Sequence, residues 1–341
     1  MTRLNAYIAA LLMTDNRIYN AFCTACATVG VSTTSKLLVA CSGGADSLAL
    51  LHGLHENGAT VAVAHVNHQI DIVEADAAQQ LVQQFCHERD IPCYVGTFTV
   101  PKLAAESKRG IEETARKVRY TFFAETMAAI GYDYYLTAHT QDDNLETVLL
   151  HMLRGCGIGG LRGMETLRQT VHLRPILTIS RAEIEAYIKA HNLKCAIDSS
   201  NDTCDYTRNR VRHELVPLLR EFNPRIDDSF MRLAEVVAAE DDFLQREALK
   251  LVYAVNGERY CLRRELLAAP RALQLRAMRE LAASARCDSS GGMMQNSKTQ
   301  IEHKHVLAML GAIERHSSTQ LPGKLMLSCR KGKIQVLPGS E

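Results

Sequence analysis

An apolar run at residues 37–41 (LLVAC) leads straight into Ser42-Gly43-Gly44-Ala45-Asp46-Ser47, and a helical stretch follows at about 48–56. That succession constrains the fold more than any other feature of the chain. A run that is apolar at every position reads as a strand covered on both faces. Further β-rich runs occur at 61–65 (VAVAH), 94–100 and 134–138, and helical patterns near 73–89, 111–129 and 144–154 separate them. Strand–helix alternation at this spacing predicts an α/β fold, a doubly wound, mostly parallel sheet with helices on both faces. In such sheets ligands bind beyond the carboxyl ends of the strands.

A length of 341 residues, set against ~150 per domain, suggests about two domains. The pattern changes near Asn223-Pro224, and 227–252 reads as one long polar helix. The expected organisation is a helical extension at 1–35, a domain carrying the Gly-rich loop at 36–225, a helical linker at 226–252 and a smaller C-terminal α/β domain at 253–341. That last domain shows a Ser/Gly-rich loop at 289–292 and short strands near 324–328 and 333–336. A net charge of +1 gives no global basic field, although a polyanion responds to a local stripe. No apolar run reaches the ~18 residues of a membrane span. Residues 6–13 are apolar, but Asp15, Asn16 and Arg17 follow without a small-residue cleavage site, so an amphipathic helix is expected instead of a signal peptide. Eleven irregularly spaced cysteines argue for free thiols in a reducing, cytoplasmic setting. Cys23 and Cys26 form a lone CxxC in a helical stretch, without a second pair at zinc-site spacing.

The Gly-rich loop carries the clearest chemistry. Gly43 and Gly44 let backbone N–H groups approach a phosphate, and the helix that follows presents its positive end. Ser42 and Ser47 add hydroxyls, and Ser47 is placed to cap the helix. Ala45 and Asp46 complete the loop. No lysine closes it, so it is not the loop of a γ-phosphate-transferring NTPase. The plainer alternative is a Gly-rich turn with a serine cap.

His139-Thr140-Gln141-Asp142-Asp143-Asn144-Leu145-Glu146 follows the fourth strand and opens a helix. Asp143 and Glu146 share a helix face, while Leu145, Val148, Leu149 and Met152 follow core spacing. The carboxylates are therefore expected beside the loop, suited to Mg²⁺ or to holding and deprotonating an amine. Asp46 and Asp143 are the candidate Mg²⁺ ligands. For Asp142 the simple preference of acids for a helix N-terminus remains an equal reading.

Ser-Gly-Gly-x-Asp-Ser resembles the PP-loop of ATP pyrophosphatases. His65-Val66-Asn67-His68, the 110–120 segment (GIEETARKVRY), Arg154-Gly155-Cys156-Gly157 with Gly160-Leu161 and Gly163-Met164, Asp198-Ser199-Ser200-Asn201, and Tyr206 with the 208–212 segment (RNRVR) are together similar to the tRNA(Ile)-lysidine synthetase family. These motifs run in family order across about 37–225. Leu321-Pro322-Gly323 resembles that family's smaller domain. One departure follows His68, where Gln69-Ile70-Asp71 replaces a usual glycine and later arginine.

The resemblance implies an ATP-dependent ligase. It would adenylate O2 of the wobble cytidine in an isoleucine tRNA with a CAU anticodon, and the amine of free lysine would then displace AMP at C2. ATP and Mg²⁺ are the implied cofactors. On this reading Asp46, Asp143, Glu146, Arg116 and Arg208 are catalytic candidates, and residues 42–47 with His65, His139 and Arg154 are nucleotide-binding candidates. Arg119 and Arg212 join the arginines suited to phosphate or transition-state charge. His65 and His68 are equally readable as satisfied core histidines, and Lys117 and Arg210 as surface ion-pair partners. Basic clusters at 102–119 and 208–225, with Arg263, Arg264, Lys304, Arg330, Lys331 and Lys333, are candidate tRNA phosphate contacts. The alternatives are a PP-loop tRNA thiolase and a nucleotide-binding module without turnover.

Overall fold

A computed structural model describes residues 17–196, 206–255, 257–285 and 301–338. The chain divides into two compact units between Glu235 and Val236, inside the helix Ile226–Leu249. The expected N-terminal helix at 6–13, the 198–201 motif and the 289–292 loop lie outside the described residues.

The first unit holds a six-stranded sheet. Its strands are β1 (Leu37–Ala40), β2 (Val61–Asn67), β3 (Cys93–Thr97), β4 (Tyr134–Leu136), β5 (Leu167–Arg168) and β6 (His172–Leu173), in the order β3-β2-β1-β4-β6-β5. Every pair is parallel except β5 with β6. Successive β1 side chains point to opposite faces, and both are buried. Leu37 and Val39 join a core with Phe22, Leu51 and Tyr187, whereas Leu38 joins Phe123 and Tyr135. Leu37, Leu38 and Val39 are each 0% exposed, and each such burial contributes about 1.5–3 kcal/mol. This is the doubly wound sheet that the apolar runs predict.

The helix Arg17–Val29 buries Ile18, Ala21, Phe22 and Cys26, a one-face spacing. It lies so close to the helix Ala45–Glu56 that a Cβ on Gly53 would stand 2.9 Å from Ile18 Cγ2. The helix Ile111–Ile130 covers the other face through Phe123. Among the expected elements, the strand at 94–100 ends at Thr97, and Val100 opens the helix Val100–Ser107 with a proline in its first turn. Strands β5 and β6 lack the apolar run that makes a strand visible, being two residues each. No described helix is long and apolar enough to cross a membrane.

The second unit carries a five-stranded antiparallel sheet, β7 (Tyr253–Val255), β8 (Glu258–Leu262), β9 (Thr319–Leu321), β10 (Leu325–Arg330) and β11 (Lys333–Pro338), ordered β7-β8-β11-β10-β9. The two strands expected here are β10 and β11; the other three are short and were not legible as apolar runs. Lys331 and Gly332, both at positive φ, make the tight turn between β10 and β11. The helices Arg271–Ser284 and His303–Glu314 pack Met278, Leu281, Met309 and Ile313 against Leu327 and Ile334.

Candidate functional site

Strand order reverses between β1 and β4. The chain winds outward through β2 and β3, then returns to pair β4 on the other side of β1. At such a switch point the loops beyond adjacent strand ends part and leave a crevice. The 42–47 loop leaves β1 there, and His139 to Glu146 leave β4 there.

Gly43 has φ +92°, and a Cβ on it would stand 3.3 Å from Val82 Cγ2 and 3.4 Å from the Ala78 carbonyl. Its carbonyl accepts from the Ala196 amide at 2.9 Å. Both the turn and the close approach require glycine. The helix starts at Ala45 with Gly44 as its N-cap and no side-chain cap. Ser47 therefore does not cap it, contrary to the sequence expectation. It sits within the first turn, where its hydroxyl donates to the Gly44 carbonyl at 3.0 Å and accepts from the Ser42 amide at 3.2 Å. Without a side-chain oxygen over it, the helix N-terminus presents its amides to an anion. Ser42 is exposed and Ala45 partly so.

Asp46 stands in the first turn of this helix. Burial first, then the Asp143 charge, pushes its carboxyl up to about 6, against the pull of Arg181 and Arg212. Asp46 and Asp143 thus share one electrostatic neighbourhood although 97 positions separate them in the sequence. Asp143 belongs to a capping box: its Oδ2 accepts from the Thr140 amide at 3.0 Å and the Thr140 hydroxyl at 3.1 Å. This box starts the helix Gln141–Leu153 three residues before the apolar periodicity does. Oδ1 of Asp143 faces Arg208 at 3.7 Å and Arg212 at 3.5 Å.

Glu146 differs from the expected free carboxylate. It is 3% exposed and engaged by two guanidiniums. Arg212 Nε donates to Oε1 at 2.6 Å and Nη2 to Oε2 at 3.1 Å, while Arg208 Nε donates to Oε2 at 3.1 Å. Burial acts to lower the Arg212 pKa, but the bonds and charges of Glu146 and Asp143 outweigh it and raise it. Arg208 lies in the short helix Tyr206–Arg210 and Arg212 in the π-helical turn Val211–Leu215. Glu146 is thus the seat of the arginine pair, and both of its oxygens already accept from guanidiniums. Asp142 has a similar structural duty, accepting from the Arg181 amide at 2.7 Å and from Arg220 Nη2 at 2.8 Å. Burial acts to raise its carboxyl, but these partners hold it below the ordinary value. Leu145, Val148 and Leu149 are buried as their spacing predicts, whereas Met152 is 48% exposed.

His65 at the end of β2 is 3% exposed. Its Nδ1 lies 2.9 Å from the Cys41 carbonyl, so Nδ1 donates and Nε2 has no partner. Burial lowers its pKa, leaving a neutral imidazole with an unused acceptor beside the loop. Burial, then Arg119, takes His68 down to about 4. Its Nε2 accepts from Arg119 Nε at 3.4 Å. Asp71, within the departure after His68, caps the helix Ile72–His87. Arg116 stacks over Tyr120 at 5.0 Å. Burial, against the charge of Asp143, takes His139 down to about 4, with Arg174, Arg208 and Arg116 acting the same way as burial. Arg154 is not brought to the carboxylates. It is the exposed C-cap of the helix Gln141–Leu153, eleven residues beyond Asp143, which at 1.5 Å per residue is about 16 Å along the axis.

Sequence reading did not single out Arg181, Thr137, His172 or Arg174. Thr137 and His172 carry no motif signal because a buried polar side chain is recognisable only once its partners are known. In the second unit Arg263 donates to the Ile313 and Glu314 carbonyls at 3.0 and 3.3 Å, closing a helix end. Lys304 pairs with Glu302 and Lys333 lies over Tyr260. The nine described cysteines are unbridged. Burial, then Cys23, lifts the Cys26 thiol to about 11.

Comparison with known proteins places this geometry in a family. The chain is 41% identical over 229 residues to the bifunctional protein TilS/HprT of Listeria innocua, covering 65% of this chain and 35% of that one. It is 30% identical over 299 residues to the tRNA(Ile)-lysidine synthase of Clostridium acetobutylicum, covering 85% of this chain and 63% of that one. It therefore spans less than two thirds of these relatives' length. Among solved structures, the U34-tRNA thiolase NcsA from Methanococcus maripaludis with its [4Fe-4S] cluster matches with a TM-score of 0.54 at 18% identity, covering 64% of this chain and 78% of that one, a likeness of fold alone. A family model described as a PP-loop domain matches residues 13–219, more than half of the 341, and takes in the loop, both aspartates and the arginine pair. The chain belongs to the PP-loop family.

Proposed function

We propose that this protein is a tRNA(Ile)-lysidine synthetase, which uses ATP to join lysine to C2 of the wobble cytidine of isoleucine tRNA with a CAU anticodon. The observation that carries the reading is the conjunction of an uncapped Gly-rich helix start with Asp46 and Asp143, flanked by the Arg208–Arg212 pair on Glu146. It occurs in a chain 30–41% identical to proteins named for this activity.

The loop amides suit the pyrophosphate end of ATP. Asp46 and Asp143 would hold Mg²⁺, since the Asp143 charge raises the cost of ionising Asp46 and a cation would relieve it. The ion is usually held by one or two carboxylates, with water and substrate phosphates completing its shell. When bound it supplies charge neutralisation at the phosphates. Nucleophilic O2 of the cytosine displaces pyrophosphate from the α-phosphate, which turns a poor leaving oxygen into a good one. The lysine amine then adds at C2, AMP departs, and a carboxylate of the pair accepts the amine proton. Arg208 and Arg212 face the charge that develops on the departing phosphates. The second unit is the proposed tRNA-contacting part, and a reducing cytoplasm suits the unbridged thiols.

A thiolase reading is less well supported. The paired cysteines Cys23 and Cys26 sit on the helix Arg17–Val29 in the core under β1, and the raised Cys26 thiol is a poor nucleophile. The deciding experiment incubates the protein with ATP, Mg²⁺, labelled lysine and unmodified isoleucine tRNA bearing CAU. Label in the tRNA, with AMP and pyrophosphate released only when both lysine and tRNA are present, is expected. Pyrophosphate release with sulfur transfer and no lysine incorporation overturns the reading.

A further inference from the structure

Four side chains at the β4–β6 edge of the site form a continuous polar chain through an otherwise apolar layer. Arg174 Nη2 lies 3.4 Å from His172 Nδ1, and His172 Nε2 lies 2.7 Å from Thr137 Oγ1. Thr137 Oγ1 in turn lies 2.8 Å from His139 Nδ1. His172 is 1%, Arg174 5% and Thr137 8% exposed. The His172 ring is stacked on Tyr135, with centroids 4.6 Å apart. Arg174 is held from behind by its bond from Nη1 to the Glu165 carbonyl at 2.7 Å. Most buried polar groups are hydrogen-bonded; here Arg174 Nε has no partner, and the bonds that are made have a direction.

A guanidinium has donors and no acceptor, so His172 Nδ1 must accept from Arg174. Burial, then the Arg174 charge, takes His172 down to about 3, so its ring is neutral and its single proton sits on Nε2. That proton goes to Thr137 Oγ1. The threonine hydroxyl takes that proton on one lone pair and keeps one proton of its own to give, which His139 Nδ1, 2.8 Å away, is placed to accept. His139 is also neutral, lowered to about 4 by burial despite the opposing charge of Asp143. Its proton is left on Nε2, the one ring nitrogen not engaged by Thr137.

We propose that Arg174, His172 and Thr137 are positioning residues that lock His139 in the Nε2–H tautomer, holding it as a hydrogen-bond donor to an α-phosphate oxygen of the bound nucleotide. This rests on the ATP-dependent reading above. As O2 adds to phosphorus, the equatorial oxygens gain negative charge, and a fixed neutral donor stabilises them without reorganising. No proton changes owner in this step. Had Nδ1 carried the proton instead, Nε2 would present a lone pair to a phosphate and repel it.

The test is nitrogen-15 imidazole spectroscopy of the full chain at neutral pH, with His139 assigned through His139→Gln. The expected spectrum has a protonated Nε2 and a pyridine-like Nδ1. Thr137→Val keeps the side-chain shape and removes the hydroxyl. It should give mixed tautomers and slow single-turnover tRNA adenylation about 10-fold with little change in the KM for ATP, a fraction of the loss of a whole oxyanion donor. Thr137→Ser should restore both spectrum and rate. A wild-type His139 protonated on Nδ1, or a Thr137→Val protein with wild-type spectrum and rate, overturns the proposal. If wild-type protein adds no lysine to CAU-bearing tRNA, the lysidine reading falls, and the tautomer spectra still decide the relay.

Discussion

Asp46→Asn should make the protein more stable at neutral pH and inactive. The wild-type carboxyl is raised from 3.8 to about 6, so at pH 7 the folded protein ionises it against burial and the Asp143 charge. At 1.36 kcal/mol per unit the penalty has a ceiling of about 3 kcal/mol. Asp46 is partly exposed, so solvent screening lowers that ceiling. The substitution also forfeits a favourable acid at a helix N-terminus, about 0.3–1 kcal/mol. A net gain of about 1–2 kcal/mol remains, which for a unit of this size is roughly 3–6 °C in Tm. The pH dependence fixes the cause. Above pH 6 both folded and unfolded states are ionised and the penalty is complete. Between 6 and 3.8 the folded state binds the proton that the unfolded state does not, so wild-type stability rises as pH falls. The advantage of Asp46→Asn should therefore shrink through pH 5 and be gone near pH 4. Thermal unfolding without nucleotide or Mg²⁺, at closely spaced pH values, measures it. An Asp46→Asn protein equal to or less stable than wild type at pH 7, or a difference that does not move with pH, refutes the reasoning.

Asp143→Asn retains an oxygen for the Thr140 amide, so the helix cap should survive. The chemical step should slow by about 10²–10³, the scale of one lost electrostatic stabiliser, with tRNA affinity nearly unchanged. Single-turnover lysine incorporation at saturating tRNA checks this, and weakened tRNA binding with normal chemistry contradicts it. Glu146→Gln should cost roughly 2–4 kcal/mol in denaturant titration, because it strands two guanidiniums on a buried amide while their partial exposure limits the damage. A loss under about 0.5 kcal/mol would mean that the arginines do not depend on Glu146. Arg330→Ala with Lys331→Ala should weaken tRNA binding, lower its salt slope by about 1–2 and leave ATP binding unchanged; an unchanged slope removes this turn from the tRNA surface.

The parts of the fold legible in the sequence are those in which one physical requirement dominates a continuous stretch. Two-sided burial writes itself into 37–41 as an unbroken apolar run, and a tight turn between strand and helix writes itself as Gly43-Gly44. Strands β5 and β6 escape because two residues make no period, and β6 spends one of them on His172. The helix at Gln141 starts earlier than its apolar spacing because a capping box, not a hydrophobic stripe, sets the start. The placement of Asp46 near Asp143 was legible because both follow strands that the alternation makes parallel neighbours. Asp142 was left open between cap and catalyst, and the amide of Arg181 with the guanidinium of Arg220 explains its position structurally. Arg154 stands apart from Asp143 for a simple reason: its motif lies next to the acidic one in sequence, and a full helix length intervenes.

Glu146 is the instructive case, because spacing alone made it Asp143's equal. Three residues apart on one face, both carboxylates are offered to a cation by spacing alone. Depth separates them. Nearer the helix start, Asp143 is partly exposed, with one oxygen on the Thr140 cap and the other beside the arginines; one turn further in, Glu146 is dry, and a buried carboxylate needs charged partners. Two arginines meet that need, and the consequence runs back to the chemistry. Arg208 and Arg212 each share their charge with Glu146 and Asp143, so the pair is close to electrically balanced before any nucleotide arrives. Among the described residues a triphosphate entering the loop then finds helix amides and this balanced pair, with Arg181 drawn on by Asp46, while Asp46 and Asp143 add negative charge of their own. The proposed reaction consequently requires a cation that arrives with the nucleotide. That is the physical reason to expect Mg²⁺ at the two aspartates and not at Glu146, and it predicts that nucleotide affinity will fall sharply when Mg²⁺ is removed from wild type. In Asp46→Asn, where one repelling charge is gone, Mg²⁺ removal should matter less. Equal Mg²⁺ dependence in the two proteins, measured by ATP titration with and without chelator, would count against placing the ion there.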